Sequence, residues 1–227
     1  RTHKLDPKQL KAALNDSDRT LRVHALKVLA DHDPPANDIY REPIVGMLKD
    51  PDPFVRRAAA DTLGLRRHSS SIPALLACWK ATPADDTHLI HTLRMTLRDH
   101  LLNPIVYDEF DNWIANQVML DDDAIDKLVN VSLGVPNERA ARFILDRFHT
   151  NPKMPYVAER LAHVVRCAGE SDLNNAFEVA ESEQGSVASP AVIMIAVQKA
   201  VALRGVRLPD RLRAAHEELI ESLLTNA

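Results

Sequence analysis

The stretch Leu10-Lys-Ala-Ala-Leu14-Asn-Asp16-Ser-Asp18-Arg-Thr-Leu21-Arg22-Val-His-Ala25 returns 34 residues later. There it reads Ile44-Val-Gly-Met-Leu48-Lys-Asp50-Pro-Asp52-Pro-Phe-Val55-Arg56-Arg-Ala-Ala59. The matches are Leu10 with Ile44, Leu14 with Leu48, Asp16 with Asp50, Asp18 with Asp52, Leu21 with Val55, Arg22 with Arg56 and Ala25 with Ala59. At twice the offset Asp18 maps to Asp86, Leu21 to Leu89, Ala25 to Leu93 and Leu29 to Leu97. Ala84 and Ile90 stand there in place of the first Asp and the Arg, so the third copy is degraded. A fixed period of this length is the mark of a repeat architecture, in which each unit buries its apolar face against its neighbours.

Each copy reads as two helices. The first spans Pro7–Leu14, Ile39–Leu48 or Ile72–Lys80, and Pro near two of the starts removes an N–H that would have no partner there. The second opens on Ser17/Asp18, Asp50/Asp52 or Asp85/Asp86, whose side chains cap exposed amides. It continues with apolar residues at helical spacing, such as Leu89, Leu93 and Leu97. Beyond residue 104 the period blurs and the helical pattern persists. The spacing predicts helices at Val106–Met119, Asp122–Leu133, Glu138–Phe148, Pro155–Cys167, Asp172–Glu183, Pro190–Arg204 and Pro209–Leu224. No segment alternates as a strand does. The expectation is an all-α, right-handed α-α superhelix of about six helix pairs. It forms a single domain over 1–227, with clear repeats at 5–100, degenerate ones at 105–205 and a polar capping helix at 209–224.

Composition agrees. Of 227 residues 45% are hydrophobic and only 4% aromatic, and six glycines are too few for a phosphate-cradling fold or a turn-rich β-protein. No apolar run approaches the ~20 residues that span a bilayer, so no membrane insertion is expected. Residue 1 is Arg, and the chain is expected to be a segment of a longer polypeptide. The net charge of −4 is unevenly spread: 16 Lys/Arg against 13 Asp/Glu in 1–100, one against seven in 101–135, and 11 against 12 in 136–227. A mildly basic front half permits a local anion-binding patch, while the acidic middle disfavours a continuous nucleic-acid track. Cys78 and Cys167 fit no zinc, haem-attachment or redox spacing, and both read as thiols in helical patterns.

The helix–turn–helix unit, with Asp16 or Asp50 in the turn and Arg22 or Arg56 six residues later, resembles the HEAT repeat of the armadillo-like helical solenoids. The resemblance implies a ladder in which a turn Asp and a second-helix Arg bond across neighbouring units. An Asp at a helix start is favoured by the dipole, and Arg offers a carboxylate a two-pronged donor. With Ala84 and Ile90 in the third copy, the ladder should stop there. Its expected worth is about 1 kcal/mol for Asp50→Ala. More distantly, Ala81-Thr-Pro-Ala-Asp-Asp-Thr-His88-Leu-Ile-His91 is similar to HEAT segments of large multidomain bacterial proteins that pair a propeller-like dehydrogenase domain with a c-type haem domain. That likeness implies a multidomain context, extracytoplasmic in such a protein and cytoplasmic otherwise.

Several clusters have both a chemical and a plain reading. His88 and His91 share a helix face, but zinc needs four ligands and the spacing supplies no third, so no metal and no cofactor are expected. Asp121-Asp122-Asp123 lacks the central Gly and closing Glu of a calcium loop and reads as an acidic helix start. Arg56-Arg57 and Arg66-Arg67-His68 form the densest basic cluster, with one of each arginine pair read as structural or solvated. Trp79 and Trp113 read as packing residues. No glycine-rich nucleophile elbow is present. The resulting expectation is a non-enzymatic scaffold that binds a protein, or a neighbouring domain of its own chain, on the concave face built by the second helices. Arg57, Asp61, His88, His91 and Arg94 are the candidate contacts, on a face that also includes His24 and Lys27. The alternative is a helical-repeat alkylpurine DNA glycosylase with DNA in the concave cleft.

Overall fold

The computed structural model describes residues 6–32, 38–115, 120–150, 155–182 and 190–225. All the regular structure among them is helical, with no strand. The chain divides into two compact units, Arg1–Val131 and Ser132–Ala227.

The first unit contains α1 (Pro7–Leu14), α2 (Arg19–Ala30), α3 (Arg41–Met47), α4 (Pro53–Leu65), α5 (Ile72–Ala81), α6 (Thr87–Leu101), α7 (Ile105–Ala115) and most of α8 (Asp122–Ser132). Its first three pairs are α1 with α2, α3 with α4 and α5 with α6, and their second helices stack as α2, α4, α6. The second helices begin where the repeat predicts, each on a capping Asp. Asp18 accepts the Thr20 amide at 2.8 Å, Asp52 that of Phe54 at 2.8 Å and Asp86 that of Leu89 at 3.1 Å. The residues at the repeat's apolar positions are the core: Leu29, Val55, Leu63, Leu89, Leu93 and Leu97 are fully or almost fully buried. Each such Leu or Val contributes about 1.5–3 kcal/mol by leaving water. Leu21, assigned by the pattern to the same row, is 47% exposed, with no earlier second helix among the described residues to cover it.

Two hydroxyls tie the second helices together. Thr62 Oγ1 shares its proton between the Ala58 carbonyl of its own helix at 2.7 Å and the Leu26 carbonyl at 3.1 Å, and Thr96 Oγ1 donates to the Ala60 carbonyl at 2.9 Å. Both donors, and the Leu26 and Ala60 acceptors, are 34 residues apart, so the bond belongs to the repeat. Gly64 permits this approach, since a Cβ there would lie 3.2 Å from Thr96 Oγ1. At the far ends of the same helices Arg66 is buried, 2% exposed, against Asp38, with Nη2 to Oδ1 at 2.6 Å and Nε to Oδ2 at 3.1 Å. Its Nη1 donates to the Leu29 and His32 carbonyls at the end of α2. Burial alone pushes the Asp38 carboxyl up, but the hydrogen bonds and charge of Arg66 outweigh it and hold the group below the usual carboxylate range.

The predicted helix at Ile39–Leu48 begins later, at Arg41, because the Asp38 carboxylate accepts the Tyr40 amide and holds a turn in front of it. Helix α5 is preceded by a short 3-10 turn at Ser69–Ser71. The predicted continuation of α7 to Met119, and the side chain of Trp113, lie outside the described residues.

The second unit holds α9 (Glu138–Thr150), α10 (Val157–Cys167), α11 (Glu170–Ser182), α12 (Pro190–Arg204) and α13 (Asp210–Thr225). Helix α10 packs on α9, α11 and α12, and α13 covers α12. An ion pair joins Arg142 on α9 to Asp172 in the first turn of α11, at 2.8 Å from Nε and 3.0 Å from Nη2. Arg204 at the end of α12 donates to the Val165 carbonyl at 2.8 Å, the same end-of-helix clasp that Arg66 makes in the first unit. Gly205, at φ +74, ends α12 in a conformation that glycine adopts without strain. Leu212 is the buried anchor of α13, while Arg211, Arg213, Glu217, Glu218 and Glu221 face water.

Candidate functional site

The turn-and-helix residues of the first two repeats form the ladder the pattern implies. Arg22 donates from Nε to Asp50 Oδ2 at 2.9 Å and from Nη2 to Oδ1 at 3.1 Å. Its Nη1 is anchored on the carbonyls of its own turn, Asp16 at 2.8 Å and Ser17 at 3.1 Å. Arg56 repeats the anchor on Asp50 and Pro51, again at 2.8 and 3.1 Å. With Ala84 opposite, the ladder stops at Arg56, as the sequence predicts.

The basic cluster therefore separates. Arg66 is structural, and Arg56 is anchored through Nη1 on the carbonyls of its own turn. Arg57 is half-buried, 3.8 Å from Asp86, with its guanidinium 5.5 Å from the centre of the Phe54 ring. Arg19 approaches the same ring at 5.1 Å and pairs with Asp52 at 3.2 Å. Phe54 is 55% exposed between these two guanidiniums, at the starts of the stacked second helices. Asp61, His88, His91, His24 and Lys27 are exposed on the second helices. His91 occupies the repeat position of Arg57, and His88 that of Phe54. Arg94 belongs elsewhere in the repeat: its counterparts Leu26 and Ala60 are buried beneath the next second helix, whereas Arg94 is exposed. Among the described residues no group of three His, Cys, Asp or Glu side chains could hold a metal ion.

Other polar clusters serve packing. Asp121 caps α8 by accepting the Ala124 amide at 2.9 Å and also pairs with Lys80. Asp122 and Asp123 lie in the first turn of α8, so the acidic run is a helix start. Trp79 is half-buried with the Lys127 ammonium 5.6 Å from its ring centre. Cys78 and Cys167 are free thiols, and burial pushes both pKa values up, away from the reactive thiolate.

An apolar exposure in the second unit is not among the sequence-predicted residues. Helices α10 and α12 flank a groove of about 480 Å³. Val192, Ile195 and Leu203 line it while 54%, 48% and 75% exposed, with Glu159, Arg166 and Lys199 at its borders. The signal was present in the run Ala191–Val197. A helix apolar on every side needs cover on every side, and α10 covers only one.

A family model described as HEAT repeats matches residues 7–94. Over those residues the chain is similar to HEAT repeats. The HEAT match spans α1 to the middle of α6, across the three copies that share the 34-residue offset and the capping Asp. No curated protein matches the chain. HEAT repeats commonly mediate protein interactions, and among the described residues no helix is long and apolar enough to cross a membrane.

Proposed function

We propose that this chain is a non-enzymatic scaffold that holds a protein partner, or a neighbouring domain of its own polypeptide, on its second-helix faces. The observation that carries the reading is the α10–α12 groove, where three large aliphatic side chains stand in water within a charged rim. Contiguous apolar exposure bordered by polar groups is what a partner-binding surface requires. In the first unit Phe54 between Arg19 and Arg57 adds aromatic and Arg groups of the kind that dominate binding energy at interfaces.

Photo-crosslinking of the full-length protein in its source cells tests this. A crosslinking residue at Ile195 or Phe54 should capture one defined polypeptide, and one at exposed Glu178 on α11 should not. The same diffuse adducts at all three positions would refute it. Release of alkylated bases from duplex DNA, lost on changing Asp61→Asn, would instead establish the glycosylase reading.

A further inference from the structure

The ladder ends on an arginine that is fully prepared and unanswered. Arg22 and Arg56 have the same anchor geometry, Nη1 on two carbonyls of the preceding turn at 2.8 and 3.1 Å. In Arg22 the remaining edge, Nε and Nη2, holds the Asp50 carboxylate. The corresponding position opposite Arg56 is Ala84, and among the described residues no acid pairs with Arg56. Asp85 and Asp86 follow directly, but Asp85 is exposed and Asp86 caps α6 and faces Arg57.

In place of the missing carboxylate there is a cleft of about 540 Å³ between α3, α5 and their turns, within the size range of ligand sites. Arg56 and Lys49 supply its positive charge, and Val45, Leu48, Ala77 and Cys78 supply apolar walls. The Asp50 carboxylate at its edge is already committed to Arg22 and to the Asp52 amide. A guanidinium held by two carbonyls loses little freedom when it binds, and its open edge matches a carboxylate in two-pronged geometry.

We infer that the Arg56 cleft is a docking site for an Asp-bearing turn of a partner protein, which supplies the carboxylate that Ala84 omits. The preceding repeat shows the occupant: Asp50, followed by Pro51, on Arg22. Arg56 itself stands near the start of α4, but the cleft it faces is built from the first helices and turns, so the site stands or falls independently of the apolar groove and the Phe54 surface.

The test follows the Arg56 Nε–H resonance by NMR in the full chain during titration with a capped peptide copying Lys49–Phe54. The expected result is a saturable shift of that resonance together with the amides of Leu48 and Ala77. Binding should weaken about tenfold or more when Asn replaces the peptide's first Asp, the cost of losing a charge-assisted pair. Ala84→Asp should abolish binding and raise the unfolding midpoint, showing that the chain itself can complete the rung. No shift of Arg56 Nε–H, equal binding of the Asn peptide, or an equal effect of sodium acetate at matched ionic strength would each overturn the proposal.

Discussion

Arg22 and Asp50, 28 residues apart in sequence, meet through two parallel hydrogen bonds with side chains only 13% and 6% exposed. The Asp50 carboxylate also accepts the Asp52 amide at 2.9 Å, so one group shapes its own turn and clasps the previous repeat. Exposed ion pairs contribute little, but charge-assisted bonds sheltered from water contribute more. Asp50→Ala is therefore expected to cost about 2 kcal/mol, above the value for a lost cap alone. A double-mutant cycle with Arg22→Ala, read by urea denaturation, should give a coupling of about 1 kcal/mol, and strict additivity would contradict the rung.

Gly64 and Thr96 should be coupled in the opposite sense. Glycine inside a helix normally costs about 1 kcal/mol relative to Ala. Here an added Cβ would lie 3.2 Å from Thr96 Oγ1, which is held on the Ala60 carbonyl. Gly64→Ala should therefore bring no gain in the natural chain and a gain of about 1 kcal/mol in a Thr96→Ala background. Thermal unfolding of the four variants checks this, and equal effects in both backgrounds would contradict the close approach.

Removing the carboxylate from Asp38 leaves Arg66 buried with only its two carbonyl partners. Breaking a buried pair from one side costs about 3 kcal/mol or more. Asp38→Asn should produce a loss of that order in the first unit. Acid titration should show the natural pair persisting below the usual carboxylate range, since stability from a lowered carboxyl pKa is lost only as pH falls through the folded value. A loss below 1 kcal/mol would show that the carbonyls alone suffice.

The second unit has its own acid sensitivity. His163 is 2% exposed, and burial, reinforced by Arg166, lowers its pKa from 6.5 to about 4. The folded state thus refuses a proton that the unfolded state accepts. Stability is complete above pH 6.5 and declines as pH falls from there toward 4, by about 3 kcal/mol in all. His163→Leu should flatten that part of the pH profile, and an unchanged profile would place the sensitivity elsewhere.

What could be read in advance follows from how each feature is encoded. Asp18, Asp52 and Asp86 act on amides two or three residues away, and local chemistry of that kind appears in a local pattern. Arg22 and Asp50 were legible because the repeat presents both partners twice. Asp38 and Arg66 were not, since the repeat counterparts of Arg66 are His32 and His100 and announce no ion pair. Thr62 and Thr96 carry the same offset, yet Val28 at the first position hides the rung. Arg94 looked equivalent to His91 on a helical wheel, and only packing distinguishes the stacking side of a second helix from its open side. In α12 hydropathy marked an apolar helix without indicating which side stays bare.

The rungs also bear on how such an array can lengthen. A tandem copy of residues 38–71, inserted after Ser71, would bring a new Asp50 against the existing Arg56 and a new Thr62 against the Ala60 carbonyl. It would carry its own Asp38–Arg66 pair, and Thr96 would find the copied Ala60. Every bond between second helices would be reproduced without a change of sequence, and the open guanidinium would move intact to the copied Arg56. Duplication of residues 72–105 would carry Ala84 and Ile90 in place of the rung. Growth by gene duplication is thus chemically easy at the second repeat and costly at the third.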